Sequence, residues 1–582
     1  MNVKEPTSCL YKKAAVLNLI DEKRSFCLLA GAGAGKTRAL VDILNSISEE
    51  TKNDINLHRK KIGVITYTNA AADEIKRRIG AKDYFSVSTI HSFIWELIKY
   101  YPEDIRRALL EVIEEKIKTT PPKSKKISEY RRKQEEFKEA KVFAYEPTST
   151  IIGKGFLGHS DVLDCGAKLF KTKVFQDIVV SRFPIIFIDE CQDTENKIFE
   201  ALVLVQSKTP GQVVGIFGDW MQRIYPTGPR ILPINLPENW TILHIEENNR
   251  SSKRIVSLCN AIAKYGSSQQ QKAVKKTEGL VRFFAAPIDE DREIFESNVR
   301  KEMTELLKLD SPWSPECFSL VHKMTPAREG FASFVEPLYS IPEFKELLKE
   351  LPACFASLSS FLGPIMRNRS IRDEFLVARH ILENLPSAKD HNRKVYLIRL
   401  KEKVDKLQTM VDENQTLGSL IKYIEEENLH ELPPLLTQTV STKDPTEAQL
   451  KIREAVRVPL DVFFRYVDYV TGKSNFHTHH GVKGLEFKSV MVLIDDSNAK
   501  WGNYKYENYL LKEGTPSPET MEDADRVRRL FYVACSRPTD YLAVVAYVKD
   551  PERIEERVKN LGFFNENEIS ALRHGVNNCG VG

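Results

Sequence analysis

Residues 30–37 have the composition of a loop that binds the phosphates of a nucleotide. They read Ala-Gly-Ala-Gly-Ala-Gly-Lys-Thr and follow the apolar run at 26–29. Glycines let backbone N–H groups approach phosphate oxygens, a lysine can reach the β- and γ-phosphates, and a threonine hydroxyl can bind Mg²⁺. The first position is alanine where a glycine is usual, and the alternative is a flexible Gly/Ala loop. The residues predicted to bind a nucleoside triphosphate are Ala30, Gly31, Ala32, Gly33, Ala34, Gly35, Lys36 and Thr37.

Two adjacent acids follow another apolar run, at 185–188. Asp189 could hold Mg²⁺ together with Thr37, and Glu190 could polarise the attacking water, since hydrolysis needs a base near the γ-phosphate. The alternative is a plain surface turn after a buried strand. The sequence therefore predicts a Mg²⁺-dependent triphosphatase.

Both groups of residues depend on buried strands that end next to them. The runs at 26–29, 62–65 and 185–188 are short and apolar, which favours strands of a parallel sheet. Residues 38–44 have helical spacing, so the positive end of that helix dipole would face the phosphates. Together these features predict an α/β fold with RecA-like P-loop domains.

Composition sets broad limits on the function. The 582 residues suggest three or four domains, and 42% apolar with 29% charged residues is typical of a globular protein. The sequence has no run of 18 uncharged apolar residues and no secretory signal, so no membrane association is expected. Nine scattered cysteines without a CxxC pair suggest a reducing, cytoplasmic location. A net charge of +4 is too small to imply nucleic acid by itself.

Further motifs in a fixed order give a family resemblance. From about residue 20 to 550 the chain resembles the UvrD/Rep/PcrA-like branch of superfamily 1 DNA helicases. Besides the phosphate loop, the segments that carry the resemblance are 66–75, 89–93, 189–193, 218–225, 248–251, 478–487 and 528–537. The resemblance implies two RecA-like domains with parallel sheets, each interrupted by a mainly helical insertion, and ATP in the cleft between them.

The resemblance also implies a role for each nucleotide-site residue. Gln222 would sense the γ-phosphate, while Arg250 and Arg537 would come from the second domain and stabilise charge in the transition state. Glu486 would contact the ribose, and Arg38 would pack on the adenine. For the two arginines, the alternative is an ordinary surface ion pair.

A DNA path over both domains is implied as well, with movement in the 3′→5′ direction. Tyr67 and Tyr225 would stack on bases, and the residues implied to contact the DNA backbone are His91, Ser92, Thr478 and His480. Buried aromatics with satisfied hydroxyls remain the alternative for the two tyrosines. A metal site at the histidines 477, 479 and 480 is not expected, because no cysteine or carboxylate stands at ligand spacing.

The motifs divide the chain into predicted domains. The first RecA-like domain would comprise 1–95 and 175–245, interrupted by a basic helical insertion at 96–174. The second would comprise 246–327 and 456–560, interrupted by helices at 328–455, and 561–582 would form a flexible tail. Within the first insertion, residues 116–133 carry eight Lys or Arg against one acid, which favours a nucleic-acid contact over a solvated helical face.

Three departures from the family bear on specificity. Residues 1–29 contain no glutamine to read adenine, and Asn249 stands where the family has a base-stacking tyrosine. After Tyr225 the chain reads Pro-Thr-Gly-Pro-Arg at 226–230 instead of an aromatic-Arg-Gly segment. We therefore expect relaxed selection of the nucleotide base.

Two functions fit the sequence. The first is an ATP-driven translocase and 3′–5′ helicase acting on single-stranded DNA or on a duplex with a 3′ tail. The second is an ATPase subunit that senses nucleic acid and works with a separate nuclease, as in Gabija-type antiphage systems. A P-loop machine unrelated to nucleic acid is disfavoured, because it would leave segments 89–93 and 478–487 without a role.

Overall fold

We describe the fold from a computed structural model, which covers residues 9–572 except 48, 81, 147–154, 210, 226–227, 230–235, 265–269, 320–321, 368–392, 443, 497–505, 512–517 and 571. Within these residues the strands are β1 (Phe26–Ala30), β2 (Ile62–Thr66), β3 (Phe85–Thr89), β4 (Ala144–Tyr145), β5 (Phe156–Leu157), β6 (Ile185–Ile188), β7 (Val213–Gly218), β8 (Thr241–Ile245), β9 (Glu247–Asn248), β10 (Lys272–Ala273), β11 (Leu280–Pro287), β12 (Glu316–Ser319), β13 (Phe476–Thr478), β14 (Phe487–Asp495) and β15 (Pro538–Val548).

The helices of the same described residues are α1 (Cys9–Asp21), α2 (Lys36–Ser46), α3 (Glu49–Leu57), α4 (Asn69–Ile79), α5 (Ile90–Ile98), α6 (Pro102–Thr119), α7 (Lys126–Glu139), α8 (His159–Leu169), α9 (Lys173–Arg182), α10 (Asn196–Lys208), α11 (Lys253–Ala263), α12 (Arg292–Leu307), α13 (Thr325–Arg328), α14 (Ala332–Val335), α15 (Ala353–Arg367), α16 (Arg393–Asp412), α17 (Leu417–Glu426), α18 (Pro434–Ser441), α19 (Glu447–Ala455), α20 (Leu460–Val470), α21 (Tyr506–Leu511), α22 (Pro518–Cys535) and α23 (Pro551–Asn560).

The first sheet has six parallel strands in the order β3-β2-β6-β7-β1-β8. Alternate residues of each strand enter two apolar clusters. On β6, for example, Ile186 and Ile188 belong to one cluster, and Ile185 and Phe187 belong to the other. A sheet that is buried on both faces needs continuous apolar strands, which explains the short apolar runs in the sequence.

The order of the strands brings the predicted site residues together. β1 and β6 both pair with β7, and all three strands run in the same direction. The residues that follow β1, β6 and β7 therefore meet at the carboxyl edge of the sheet, where ligands bind in α/β folds. These residues are the phosphate loop, the acidic pair and the segment that begins at Asp219.

A second sheet has the strand order β11-β15-β14-β12-β13. β12 lies parallel to both β13 and β14. The mixed α/β class with parallel sheets is therefore confirmed, and β1, β2 and β6 lie where the sequence predicts strands. None of the helices in the described ranges is long and apolar enough to cross a membrane.

The chain forms two compact units, one of Met1–Leu280 with Pro516–Asp540 and the other of Val281–Thr515 with Tyr541–Gly582. These units do not coincide with the predicted domains. Residues 246–280 and 516–540, which were expected in the second domain, belong to the first unit. The physical reason is that Asn248, Gln271 and Tyr532 bond to the phosphate loop at Ala32.

The prediction of a flexible tail from residue 561 is wrong at its start. Phe563 and Phe564 are buried, the Phe564 ring packs on Phe283 at 5.1 Å, and the Ser570 N–H donates to the Phe283 carbonyl. The two adjacent phenylalanines have apolar surface that folds onto the edge strand β11. Residues 573–582 lie outside the described part of the chain.

Candidate nucleotide-binding site

The phosphate loop lies between β1 and α2 in the conformation that its glycines permit. Gly33 and Gly35 have φ angles of 77° and 82°, in the left-handed region where a side chain is strained. A Cβ on Gly33 would also stand 2.7 Å from the Cβ of Arg250. Lys36 opens α2 and is only 7% exposed, and its Nζ donates to the Ala30 carbonyl at 3.3 Å. The N-terminus of α2 and the buried Lys36 ammonium group therefore both lie at the phosphate loop, where they would attract an anion.

The acidic pair stands opposite this loop. The Thr37 Oγ1 donates to Asp189 Oδ2 at 3.3 Å, and the Lys36 Nζ lies 3.6 Å from Glu190 Oε1. Glu190 has a φ of 47°, which is unusual for a residue with a side chain and points to strain held at a functional site. The Gln192 side-chain amide also donates to the Glu190 carboxylate.

The electrostatics of Asp189 suit a divalent cation. Burial and the neighbouring charge of Glu190 raise its pKa to about 7, against the smaller opposing effect of Lys36. A buried carboxylate beside a second carboxylate gains most from a cation placed next to it. Thr37 and Asp189 supply two adjacent oxygen ligands of the kind that Mg²⁺ prefers. These residues therefore fit the metal that accompanies a bound triphosphate.

The turn after β7 completes the site. The Gln222 amide donates to Asp219 Oδ2 at 2.7 Å, and Arg537 Nη2 donates to Gln222 Oε1 at 3.1 Å. The backbone N–H of Asp219 donates to Gln192 Oε1 at 3.1 Å, which links this turn to the acidic pair. Burial lowers the pKa of Arg537 to about 10, and the nearby charge of Arg250 adds to this effect. Arg537 therefore contacts the predicted γ-phosphate sensor, and Arg250 lies close enough to Arg537 to affect its pKa.

Arg250 is anchored beside the loop. Its backbone N–H donates to Asn248 Oδ1 at 3.0 Å, and its Nη1 donates to the Ser536 carbonyl at 3.4 Å. Lys36, Thr37, Asp189, Glu190, Gln222, Arg250 and Arg537 thus lie in one compact unit, as a single hydrogen-bonded site requires. An exposed ion pair, the alternative reading of the two arginines, does not describe Arg537, which is 1% exposed.

Comparison with known proteins bears on this arrangement. Residues 12–228 match the family model AAA_19, an AAA domain. Gabija protein GajB of Bacillus cereus (strain HuB5-5) is 22% identical to this chain over 94% of the chain and 96% of that protein. The ATP-dependent DNA helicase PcrA of Staphylococcus epidermidis (strain ATCC 12228 / FDA PCI 1200) is 26% identical over 42% of the chain and 39% of the helicase. PcrA of Staphylococcus aureus (strain Mu50 / ATCC 700699) is 26% identical over 46% of the chain and 42% of the helicase.

The chain is similar to helicases of the UvrD and PcrA type. The resemblance that the motifs predicted is thereby confirmed, including its Gabija-type form. The matched region 12–228 contains the phosphate loop, the acidic pair and Gln222. The similarity to GajB extends over nearly the whole chain, whereas the similarity to PcrA covers less than half of it.

The two other predicted nucleotide contacts, Arg38 and Glu486, both have exposed side chains. Arg38 is exposed, and its side chain lies 3.9 Å from Asp42 on the same helix. Glu486 is exposed and belongs to the second unit. Asn249, which replaces the expected tyrosine, has an exposed side chain and donates its backbone N–H to the Gly33 carbonyl. The roles of Arg38 and Glu486 stay predictions.

Two of the residues predicted to contact DNA form an aromatic pair. Tyr67, after β2, stacks on Tyr225, after β7, with ring centroids 5.5 Å apart and planes inclined by 26°. Tyr67 is 43% exposed, so it is not a core residue. Of the departure at 226–230, residues 226, 227 and 230 lie outside the described part of the chain.

His91 and Ser92 begin α5. The His91 ring lies 4.2 Å from that of His159, whose Nδ1 bonds the Tyr145 hydroxyl at 2.6 Å. Burial and the neighbouring His159 lower the pKa of His91 to about 4, so its ring is neutral at pH 7. Ser92 accepts a hydrogen bond from the Thr89 hydroxyl at 3.2 Å. A neutral histidine can contact DNA through a hydrogen bond but adds no charge.

The histidine segment lies in the second unit. Thr478 Oγ1 accepts a hydrogen bond from the Gly481 N–H at 3.1 Å, and His480 is partly buried. His477 bonds Glu316 at 2.8 Å. His479 is fully buried, with Nδ1 bonded to the Tyr506 hydroxyl at 2.9 Å and Nε2 to the Phe318 carbonyl at 3.1 Å. Across the described residues, no group of three or more His, Cys, Asp or Glu side chains could hold a metal ion.

The buried His479 gives a pH dependence. Burial lowers its pKa to about 3, below the ordinary 6.5. Between these two values His479 is protonated in the unfolded chain but neutral in the folded chain. The contribution of neutral His479 to the free energy of unfolding is therefore fully present above about pH 6.5. Below that pH it falls by about 1.4 kcal/mol per pH unit, until the pH approaches the pKa of the folded state. Thermal unfolding at pH 7 and pH 5 tests this: the His479→Gln variant should lose less melting temperature between the two pH values than the wild type. Equal losses would contradict it.

The basic segment of the first insertion is only partly neutralised within the fold. Lys116 pairs with Asp164, Lys133 pairs with Asp161 at 3.2 Å, and Arg132 lies 3.6 Å from Glu136. Among the described ion pairs, none involves the remaining cations of the segment, which are exposed: Lys118, Lys123, Lys125, Lys126 and Arg131. They cluster around the turn between α6 and α7.

Several residues of the site escaped the sequence analysis. Asp219 and Tyr532 lie inside recognised motifs but had no assigned role, although their polar side chains between apolar neighbours were a signal. Asn248 opens a motif for which only Arg250 was assigned. Gln271 has no motif at all, and only the fold brings its amide to 3.1 Å from the Ala32 carbonyl.

Proposed function

We propose that this protein is a DNA-dependent ATPase of the helicase type, which couples ATP hydrolysis to movement along single-stranded DNA in the 3′→5′ direction. The observation that carries the proposal is the hydrogen-bonded connection between the acidic pair, Gln222 and Arg537 beside the phosphate loop. Such an arrangement is what phosphoryl transfer requires, because catalysis there consists of positioning and charge stabilisation.

Each residue then has a chemical task. The loop and Lys36 would bind the β- and γ-phosphates, and Thr37 and Asp189 would hold Mg²⁺, which neutralises phosphate charge. Glu190 would orient the attacking water and accept its proton. The residues proposed to stabilise charge on the transferred phosphoryl group are Gln222, Arg250 and Arg537.

Single-stranded DNA would lie across the exposed aromatic pair. Tyr67 and Tyr225 supply a base platform, and the cations around the α6–α7 turn supply charge for phosphates, the usual combination for single strands. His91, Ser92, Thr478 and His480 are proposed to contact the backbone. A duplex with a 3′ single-stranded tail would offer the protein both a single strand to move along and a duplex to separate.

An ATPase assay at fixed salt with single-stranded DNA, duplex DNA or RNA tests the proposal. Salt must be held constant because phosphate contacts weaken steeply as it rises. Stimulation by single-stranded DNA supports the function, and ATPase activity that no nucleic acid changes would contradict it. Unwinding of 3′-tailed but not 5′-tailed duplexes tests the direction of movement.

Removal of the base platform should weaken DNA binding. The Tyr67→Ala variant is expected to lose about 1–3 kcal/mol of affinity for single-stranded DNA, since one stacking partner is removed. Fluorescence anisotropy with a labelled oligonucleotide measures this loss. Tyr100→Ala is the matched control, because Tyr100 is also exposed, at 70%, and packs against Lys99. An unchanged Kd for Tyr67→Ala would remove Tyr67 from the DNA path.

A second candidate is an ATPase subunit that senses nucleic acid and acts with a separate nuclease in antiphage defence. The observation that favours it is the similarity to GajB, which covers 94% of this chain and 96% of that protein. Purified protein that hydrolyses ATP on DNA but separates no strands by itself would favour this function. Robust strand separation by the protein alone would favour the first.

Base selection should be relaxed. Asn249 has no aromatic ring that could stack on a nucleobase. The exposed side chain of Arg38, which was predicted to pack on the adenine, pairs with Asp42 instead. We expect GTP and dATP to be hydrolysed with kcat/KM values comparable to that of ATP. Steady-state kinetics with the three nucleotides test this expectation, and a preference for ATP of a hundredfold or more would refute it.

A further inference from the structure

A tyrosine hydroxyl from α22 connects two parts of the nucleotide site. The Ala32 N–H of the phosphate loop donates to the Tyr532 hydroxyl at 3.3 Å, and this hydroxyl donates to Asp219 Oδ2 at 3.5 Å. Tyr532 is only 3% exposed. A tyrosyl hydroxyl carries one proton, so it accepts from Ala32 while it donates to Asp219. The two contacts therefore depend on one oxygen atom.

The connection continues to the catalytic groups. Asp219 Oδ2 also accepts from the Gln222 amide at 2.7 Å, and Gln222 Oε1 accepts from Arg537 at 3.1 Å. Asp219, Gln222 and Arg537 are 6%, 4% and 1% exposed. Because a carboxylate only accepts and a guanidinium only donates, the orientation of the Gln222 amide is fixed from both sides.

The carbonyl group of the same residue is fixed as well. The Ala32 carbonyl accepts from Asn248 Nδ2 at 2.8 Å and from Gln271 Nε2 at 3.1 Å. Ala32 thus bonds three side chains that are distant in sequence, and all of them belong to the first unit. The loop position is therefore set from outside the loop, and Tyr532 is the contact that leads to Gln222 and Arg537.

We propose that Tyr532 is a positioning residue for ATP hydrolysis, whose hydroxyl holds the phosphate loop at Ala32 in register with Asp219, Gln222 and Arg537. The inference rests on the proposed ATPase function. The hydroxyl acts through Asp219 and the loop, so its effect falls on the geometry in which Gln222 and Arg537 meet the γ-phosphate. Ground-state binding of ATP, which Lys36 and the loop glycines dominate, changes little.

Tyr532→Phe removes the hydroxyl and leaves the ring. Steady-state ATPase kinetics should show kcat reduced about tenfold, the scale of one buried hydrogen bond, with KM for ATP within about threefold of the wild type. Tyr466→Phe is the matched control, because Tyr466 is also buried and its hydroxyl bonds only the Leu347 carbonyl among the described contacts. The Tyr466→Phe control should keep the wild-type kcat. If the two variants also have similar melting temperatures, a loss of folding stability does not explain a lower kcat in Tyr532→Phe.

A double-mutant cycle separates positioning from general damage. If Tyr532 acts through Asp219 on Gln222, the Tyr532→Phe/Gln222→Ala double variant should be about as slow as Gln222→Ala alone, rather than slower by the product of both losses. Multiplicative losses, or an unchanged kcat for Tyr532→Phe, would overturn the inference.

Asp219→Asn tests the same link from its other end, should Tyr532→Phe fail to fold. A lower kcat at unchanged KM supports the inference, and an unchanged kcat overturns it. The proposed function is tested separately by the wild type. If the wild type hydrolyses no ATP, that function fails, whereas an active wild type with an equally active Tyr532→Phe defeats only the positioning role.

Discussion

The Lys36→Ala variant should lose ATP hydrolysis by about a hundredfold to a thousandfold, the range seen when one preorganised donor to transition-state charge is removed. Lys36 is 7% exposed, and its Nζ lies 3.3 Å from the Ala30 carbonyl and 3.6 Å from Glu190. A cation held this far from water interacts strongly with phosphate charge, because solvent screens it little. Alanine removes both that charge and the neighbour of Glu190.

A phosphate-release assay with saturating DNA measures the loss. Lys52→Ala is the matched control, because Lys52 is also a buried lysine, 8% exposed, that pairs with a glutamate, Glu49, at 2.8 Å. We expect the control to keep wild-type turnover. A Lys36→Ala protein with at least half of the wild-type kcat would remove Lys36 from the site, provided that its melting temperature shows a folded protein.

Short buried strands followed by chemical residues made much of the nucleotide site predictable. The apolar runs before Ala30 and Asp189 belong to strands of one parallel sheet, so period and composition identified them correctly. The glycines at 33 and 35 were predicted to let the backbone approach phosphate oxygens, and both have left-handed φ angles in which a side chain would be strained. Local sequence was sufficient here because the phosphate loop and the acidic pair follow directly after the strands that position them.

Domain boundaries were less predictable, because they depend on contacts between distant segments. Gln271 and Tyr532 both bond to Ala32 within the first unit, and no local sequence pattern marks such a bond. His479 was named only as part of a disfavoured metal group, whereas the fold buries it between Tyr506 and the Phe318 carbonyl. Phe563 and Phe564 are adjacent apolar residues that could have indicated burial, but both lie within the predicted flexible tail near the end of the chain.

If Glu190 is the base, the Glu190→Gln variant should lose turnover but keep ATP binding. Glu190→Gln keeps the size of the side chain but cannot accept a proton. We therefore expect kcat to fall by about a hundredfold to ten-thousandfold, while the Kd of a fluorescent ATP analogue stays within about threefold of the wild type. Glu200→Gln is a matched control, because Glu200 lies on the following helix, α10, and bonds only Asn196 among the described contacts.

The geometry explains why binding should survive the loss of charge. Glu190 Oε2 accepts from the Gln192 amide, and Glu190 is held at a φ of 47° by the backbone contact of its N–H with Asp189 Oδ1 at 3.0 Å. An amide at position 190 keeps that backbone contact and removes one negative charge near the γ-phosphate, which favours ATP binding. Unchanged turnover in Glu190→Gln would show that another group accepts the proton. Equal losses of binding and turnover would show that Glu190 holds the site together rather than activating water.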